Sequence, residues 1–254
     1  MSLSIQLKQI LTKIPDAIES AMLPSSYNIN GYDRIYHVHI PKTAGTSLNH
    51  MFLALVTHSP GEAYALLGEK RNHRITLNGK TFVGWNLDFI NQGRYFYAFS
   101  HTPYHKLNLP PRTYAFTCLR EPAKRIVSRY QELIEYRNNN STHPVMKTEG
   151  LWLGESFSDF LDRVPDEFLL GQLYSFSADM DINQAYDTIK TLSQYMFSDS
   201  FSEGVDIINT RLHLGIEPIH MRQSKKIEIM PGDMERLREK LGKEYRLIEM
   251  LRNN

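Results

Sequence analysis

The chain has 254 residues, 41% hydrophobic and 22% charged, and a formal net charge of +1 with histidines neutral. Those proportions fit a globular chain long enough to bury a core without staples, and they argue against disordered and membrane classes for the bulk of the chain. A charge so balanced gives no broad field for nucleic acid or a membrane surface, so an anion site must be local, built from a few Lys, Arg and backbone N–H groups.

In chain order, residues 3–23 carry Leu3, Ile5, Leu7, Ile10, Leu11, Ile14, Ile18 and Met22 at spacings that mostly fit one helical stripe, interrupted at Pro15. Residues 1–30 therefore read as an N-terminal helical arm and 31–254 as one α/β domain, with a loop over 24–33. The run 34–40 is β-branched and aromatic and predicts a strand, followed by a turn over 41–45 and a helix over 46–56. Strand candidates follow at 82–85 and 95–100, then a clearer one at 112–119. Pro122 suits the first turn of a helix over 123–136. Residues 137–150, with three consecutive asparagines, predict a mobile surface loop. Asn139 and Asn140 each open an Asn-x-Ser/Thr pattern, given little weight without a secretory signal. Helices are expected over 157–173, 183–194, 203–214 and 234–251, with a short strand over 195–198. Alternating strands and helices imply a mostly parallel sheet with helices on both faces, whose ligand site lies beyond the carboxyl ends of the strands. The turns at 41–47 and 120–123 should then meet on one edge.

The single cysteine, Cys118, excludes an intrachain disulfide and reads as a small buried residue. No apolar run approaches the ~20 residues that cross a bilayer, and the charged N-terminus is not patterned as a secretory signal. A cytoplasmic protein is expected.

Two motifs carry chemistry. In His39-Ile40-Pro41-Lys42-Thr43-Ala44-Gly45-Thr46-Ser47 a strand feeds a short loop that opens a helix. N–H groups at a helix start can cradle phosphate oxygens. Gly45 lets the backbone come close, Lys42 adds a point charge, and Thr46 and Ser47 offer hydroxyls and a helix cap. The bland alternative is an ordinary capped helix with a solvated lysine. The order differs from G-x-x-x-x-G-K-[ST], because Lys42 precedes Gly45. The second motif is Leu119-Arg120-Glu121-Pro122 with Ser128 eight residues after Arg120. An Arg fork holds phosphate bidentately, with a serine hydroxyl as second donor. A local ion pair with Glu121 or another nearby carboxylate is the competing role for Arg120.

P-K-T-A-G-T-S after a strand, then L-R-E-P-A-K-R-I-V-S-R-Y about eighty residues later, resembles the membrane-associated type of sulfotransferase, a group that includes the heparan sulfate 2-O-sulfotransferases and bacterial relatives. The resemblance covers about residues 34–136 and more weakly 165–230. It implies a three-layer, P-loop-like α/β fold and a bacterial enzyme that moves a sulfuryl group from 3′-phosphoadenosine 5′-phosphosulfate to an acceptor hydroxyl, carbohydrate favoured, without a metal. By that resemblance Lys42, Thr43, Ala44, Gly45, Thr46 and Ser47 hold the 5′-phosphosulfate, and Arg120 and Ser128 hold the 3′-phosphate. Arg222, Ser224 and Lys225 correspond to a basic loop closing over the nucleotide, unless they are a solvated charge run.

An acceptor hydroxyl needs a general base. His101, after the strand candidate 95–100, has a suitable intrinsic pKa and matches a histidine of the relatives; Phe99 stands where some carry a second. His105 is the other candidate. His37 and His39 share one face of the first strand and read as buried histidines in preference to a metal pair. Two rival functions are a non-catalytic module binding a nucleotide or sulfated glycan, and a P-loop kinase; the latter lacks the Walker order and a metal-binding Asp after a strand.

Overall fold

A computed structural model describes residues 21–70, 72–219 and 228–253. Most of the expected N-terminal helix, and Arg222, Ser224 and Lys225, lie outside the described residues. A six-stranded sheet forms the centre. Its strands are β1 (Arg34–Val38), β2 (Arg74–Leu77), β3 (Lys80–Gly84), β4 (Tyr97–Ser100), β5 (Thr113–Leu119) and β6 (Gln194–Phe197), in the order β2-β3-β4-β1-β5-β6. Every pairing is parallel except the β2–β3 hairpin at one edge. The hairpin turns at Asn78 and Gly79, both at positive φ, as a two-residue turn that matches strand twist requires.

Alternation along the strands sorts the core into two layers. Tyr36, Val38, Val83, Ala98 and Ala115 face one side, where they meet Ile126 and Leu133 of a helix over Pro122–Asn138. Ile35, Phe82, Tyr97, Phe99, Tyr114 and Phe116 face the other, against Leu48 and Phe52 of a helix over Gly45–Ala54 and Val205 and Ile208 of one over Phe201–Leu212. Both sheet faces are covered, so all five residues of β1 are buried. Cys118 lies in the second layer, and burial pushes its thiol up from its ordinary value, away from reactivity.

Numbered in chain order, the helices are α1 (Gly45–Ala54), α2 (Pro60–Glu69), α3 (Leu87–Gln92), α4 (Pro122–Asn138), α5 (Phe157–Arg163), α6 (Asp166–Leu169), α7 (Gly171–Tyr174), α8 (Ile182–Lys190), α9 (Phe201–Leu212), α10 (Pro231–Lys240) and α11 (Gly242–Arg252). The single helix expected over 157–173 is three short ones. Pro165 lacks an N–H, and the chain restarts behind it. The one expected over 234–251 breaks at Leu241, before Gly242. Residues 137–150 include the end of α4 and a short 3-10 turn at Pro144–Lys147, and a second turn follows at Glu149–Trp152. Among the described residues, no helix is long and apolar enough to cross a membrane.

Candidate active site

Because β1 lies between β4 and β5, the three connections leaving their carboxyl ends are neighbours: His101 after β4, residues 39–44 after β1, and Arg120-Glu121 after β5. The chain leaves β1 toward β4 on one side and reaches β5 on the other. That reversal of direction is where open α/β sheets form a ligand crevice.

The β1–α1 connection is backbone-strained. Lys42 and Ala44 both sit at φ 70°. A left-handed non-glycine residue costs about 1–2 kcal/mol, so the loop holds this shape against a local penalty. Left-handed residues in a tight turn are the geometry in which successive N–H groups converge on an anion. Ala44 caps α1 without a side-chain hydrogen bond. Thr46 and Ser47 therefore do not cap the helix as expected; they lie inside its first turn, Thr46 exposed and Ser47 buried. Thr43 Oγ1 donates to the Ile40 carbonyl at 2.9 Å, which closes the loop from within. Gly45 is required by close approach: a Cβ built there would lie 1.9 Å from His39 Cδ2 and 2.0 Å from Nε2.

The second connection touches the first. Arg120 Nη1 donates to the Lys42 carbonyl at 3.0 Å. The Arg120 peptide is clamped on both sides by Gln172, whose Oε1 accepts from the Arg120 N–H at 2.7 Å and whose Nε2 donates to its carbonyl at 3.0 Å. Gln172 is held in turn by Glu244, through its N–H at 2.6 Å and its Nε2 at 3.0 Å. Glu244 also accepts from buried Arg125 at 3.3 Å. Helix α4 starts at Pro122 with the Glu121 carboxylate accepting from Lys124 N–H at 2.6 Å. So Glu121 serves as a cap and accepts from the Tyr245 hydroxyl, while its charge also acts on the neighbouring Arg120 guanidinium. Ser128 is buried two turns into α4. A hollow of about 350 Å³ borders this connection, lined in part by Glu121, Lys124, Asp199, Tyr245 and Arg252.

Lys42 is not solvated. Its Nζ donates to Glu132 Oε1 at 2.9 Å, and the pair is only about a quarter exposed. Glu132 Oε2 accepts from Arg129, and Arg129 Nε donates to Glu149 at 2.7 Å. The result is a row of alternating charge, Lys42–Glu132–Arg129–Glu149. Burial raises the Glu132 carboxyl, but Lys42 and Arg129 together outweigh that and hold it below the usual carboxylate range. Sequence reasoning missed Glu132 and Gln172. Glu132 carried a signal, one helical turn beyond Ser128 on α4 and three residues after Arg129. Gln172 carried none, because its clamp closes over fifty residues of intervening chain.

Three histidine rings run from the core to this edge. His37 stacks on Phe116 at 4.9 Å and on His39 at 5.2 Å, and His39 meets His101 edge-on at 4.5 Å. His37 Nδ1 is 3.2 Å from Asn49 Oδ1 and 3.1 Å from the Tyr97 hydroxyl. Burial pulls the His37 imidazole down to about 3 and holds His39 well below its ordinary value, so both are neutral. His101 keeps exposed surface while its ring packs edge-on against His39. That crowding, then the charge of Arg129, lowers it to about 4, against an opposing pull from Glu132. His105 packs on Tyr174 at 5.3 Å. Among the described residues, no group of three or more His, Cys, Asp or Glu side chains is arranged to hold a metal ion.

The site therefore combines a strained cationic loop at a helix start, a second loop presenting an Arg against the first, and a neutral imidazole beside them. No curated protein matches the chain. A family model described as the sulfotransferase family matches residues 25–245, which takes in the whole sheet and every loop of this crevice, and the chain belongs to the sulfotransferase family.

Proposed function

We propose that the protein transfers a sulfuryl group from 3′-phosphoadenosine 5′-phosphosulfate to an acceptor hydroxyl, with a carbohydrate acceptor favoured. The observation that supports the reading is the 3.0 Å contact of Arg120 with the Lys42 carbonyl, which joins the two connections read here as anion-binding. The residue types suit the donor. Lys42 and the N–H groups of Thr43, Ala44, Gly45, Thr46 and Ser47 hold the 5′-phosphosulfate at the start of α1. The Arg120 guanidinium and the Ser128 hydroxyl hold the 3′-phosphate.

As the S–O bond to the leaving phosphate breaks, negative charge grows on the bridging oxygen, and the Lys42 ammonium stabilises it. His101, neutral at physiological pH, accepts the acceptor's proton at a free ring nitrogen while the acceptor oxygen attacks sulfur from the opposite side. The products are a sulfate ester and 3′,5′-adenosine bisphosphate. His101 takes this role over His105 because its ring stands against His39 and within the electrostatic reach of Arg129 and Glu132.

A thermal-shift panel tests the reading. 3′,5′-Adenosine bisphosphate should raise the melting temperature and ATP with Mg²⁺ should do so little. The reverse order points to a kinase. A shift with the bisphosphate but no sulfated product from any acceptor with the true donor points to a binding module.

A further inference from the structure

Lys42 is held by a carboxylate of the helix α4. Glu132 Oε1 lies 2.9 Å from Lys42 Nζ, and Glu132 is in turn bonded by Arg129, itself anchored by Glu149 at 2.7 Å. The row spans the β1–α1 connection, the middle of α4 and the 3-10 turn at Glu149–Trp152. An anionic group arriving at Lys42 meets the Glu132 carboxylate beside it. Two like charges held within ion-pair distance of one ammonium repel each other. Both cannot share the ammonium at that separation without rearrangement. Arg129 offers the way out, since a guanidinium has five donors in a fork that can donate to both oxygens of one carboxylate.

We propose that Glu132 is a positioning residue for Lys42: it holds the ammonium at the mouth of the loop before the donor arrives, competes with the donor's 5′ anion for it, and passes to Arg129 when that anion binds. The inference rests on the donor assignment above. Glu132 touches neither donor nor acceptor in this scheme and acts through Lys42. The charges that face it are Lys42 on the β1–α1 connection and Arg129 on its own helix, with the titratable but neutral His101 ring after β4 at longer range.

The test is calorimetric binding of two probes to wild type and Glu132→Gln. 3′,5′-Adenosine bisphosphate carries the 5′ anion that competes with Glu132. Adenosine 3′-phosphate lacks it. Glutamine keeps the shape and removes the competing charge. The bisphosphate should bind the variant about two- to fivefold more tightly, the range a partly exposed ion pair carries, while adenosine 3′-phosphate binds both proteins alike. Glu132→Asp should restore the wild-type affinity, at least in part. A purely structural ion pair gives no gain of affinity on removal. Unchanged or weaker bisphosphate binding by the folded variant, or an equal gain for both probes, overturns the proposal. If wild type binds neither probe, the donor assignment itself fails, and that result is distinct from an unresponsive Glu132.

Discussion

Gly45→Ala is a change of one methyl group that the structure makes severe. The added Cβ would sit 1.9 Å from His39 Cδ2, where real contacts essentially never fall below 3.0 Å. The backbone does not demand glycine here, since Gly45 is not among the residues at positive φ. The obstacle is the imidazole. His39 cannot swing aside, because it is buried, stacked 5.2 Å from His37 and set edge-on to His101 at 4.5 Å. Relief requires more than 1 Å of movement by the ring or by the first turn of α1. Overpacking of this kind costs up to about 3 kcal/mol. Urea denaturation of the single variants and of the double variant His39→Ala/Gly45→Ala measures it. In the His39→Ala background the clash is gone, and alanine should be neutral or gain up to about 1 kcal/mol from its better helix propensity. The predicted coupling is therefore about 3 kcal/mol. If Gly45→Ala costs less than about 0.5 kcal/mol, the level of an ordinary surface change, or costs the same in both backgrounds, the packing argument is wrong.

Lys42→Ala should lower kcat by about 10²-fold, as loss of a single oxyanion donor does; an unchanged kcat in a steady-state assay removes Lys42 from the chemistry. His101 acts as a base only when neutral, and its imidazole is lowered to about 4. The active form therefore persists as pH falls through the ordinary histidine value near 6.5, and the acid limb of kcat/KM should lie well below it; a limb at or above 6.5 that vanishes in His101→Asn refutes the assigned environment. Glu244→Ala leaves the buried Arg125 guanidinium without its carboxylate and frees the Gln172 clamp. It should cost about 3–5 kcal/mol in urea denaturation, as removal of one partner of a buried pair does; a loss under 1 kcal/mol shows that water reaches the pair.

The sheet was legible wherever a strand is buried on both faces and reads as a β-branched and aromatic run, as β1, β4 and β5 do. Of the edge hairpin, β3 was legible as the strand candidate at 82–85, while β2 and the pairing escaped, although Asn78-Gly79 is a strong short-range turn signal, because β2 is four residues long and mixes Arg74 and Thr76 with Ile75 and Leu77. Helix breaks at Pro165 and Gly242 were masked by apolar spacing that runs across them. The site divides in the same way. The two loops are local motifs, and parallel topology alone predicts that they meet. The partners of Lys42 and of the Arg120 peptide are contacts over long sequence separation, to Glu132 and to Gln172. No periodicity encodes those. A helix position such as Glu132 reads as a solvated charge until the fold puts a lysine 2.9 Å from it.

The most direct measurement is the affinity of wild type and Arg120→Ala for 3′,5′-adenosine bisphosphate and for adenosine 5′-phosphate. If one crevice grips both ends of the nucleotide, wild type prefers the bisphosphate by about 10- to 100-fold, the worth of a charge-assisted hydrogen bond of roughly 1.5–3 kcal/mol, and Arg120→Ala erases most of that preference while still binding the 5′-phosphate. A preference that survives in the variant, or none in wild type, contradicts the account.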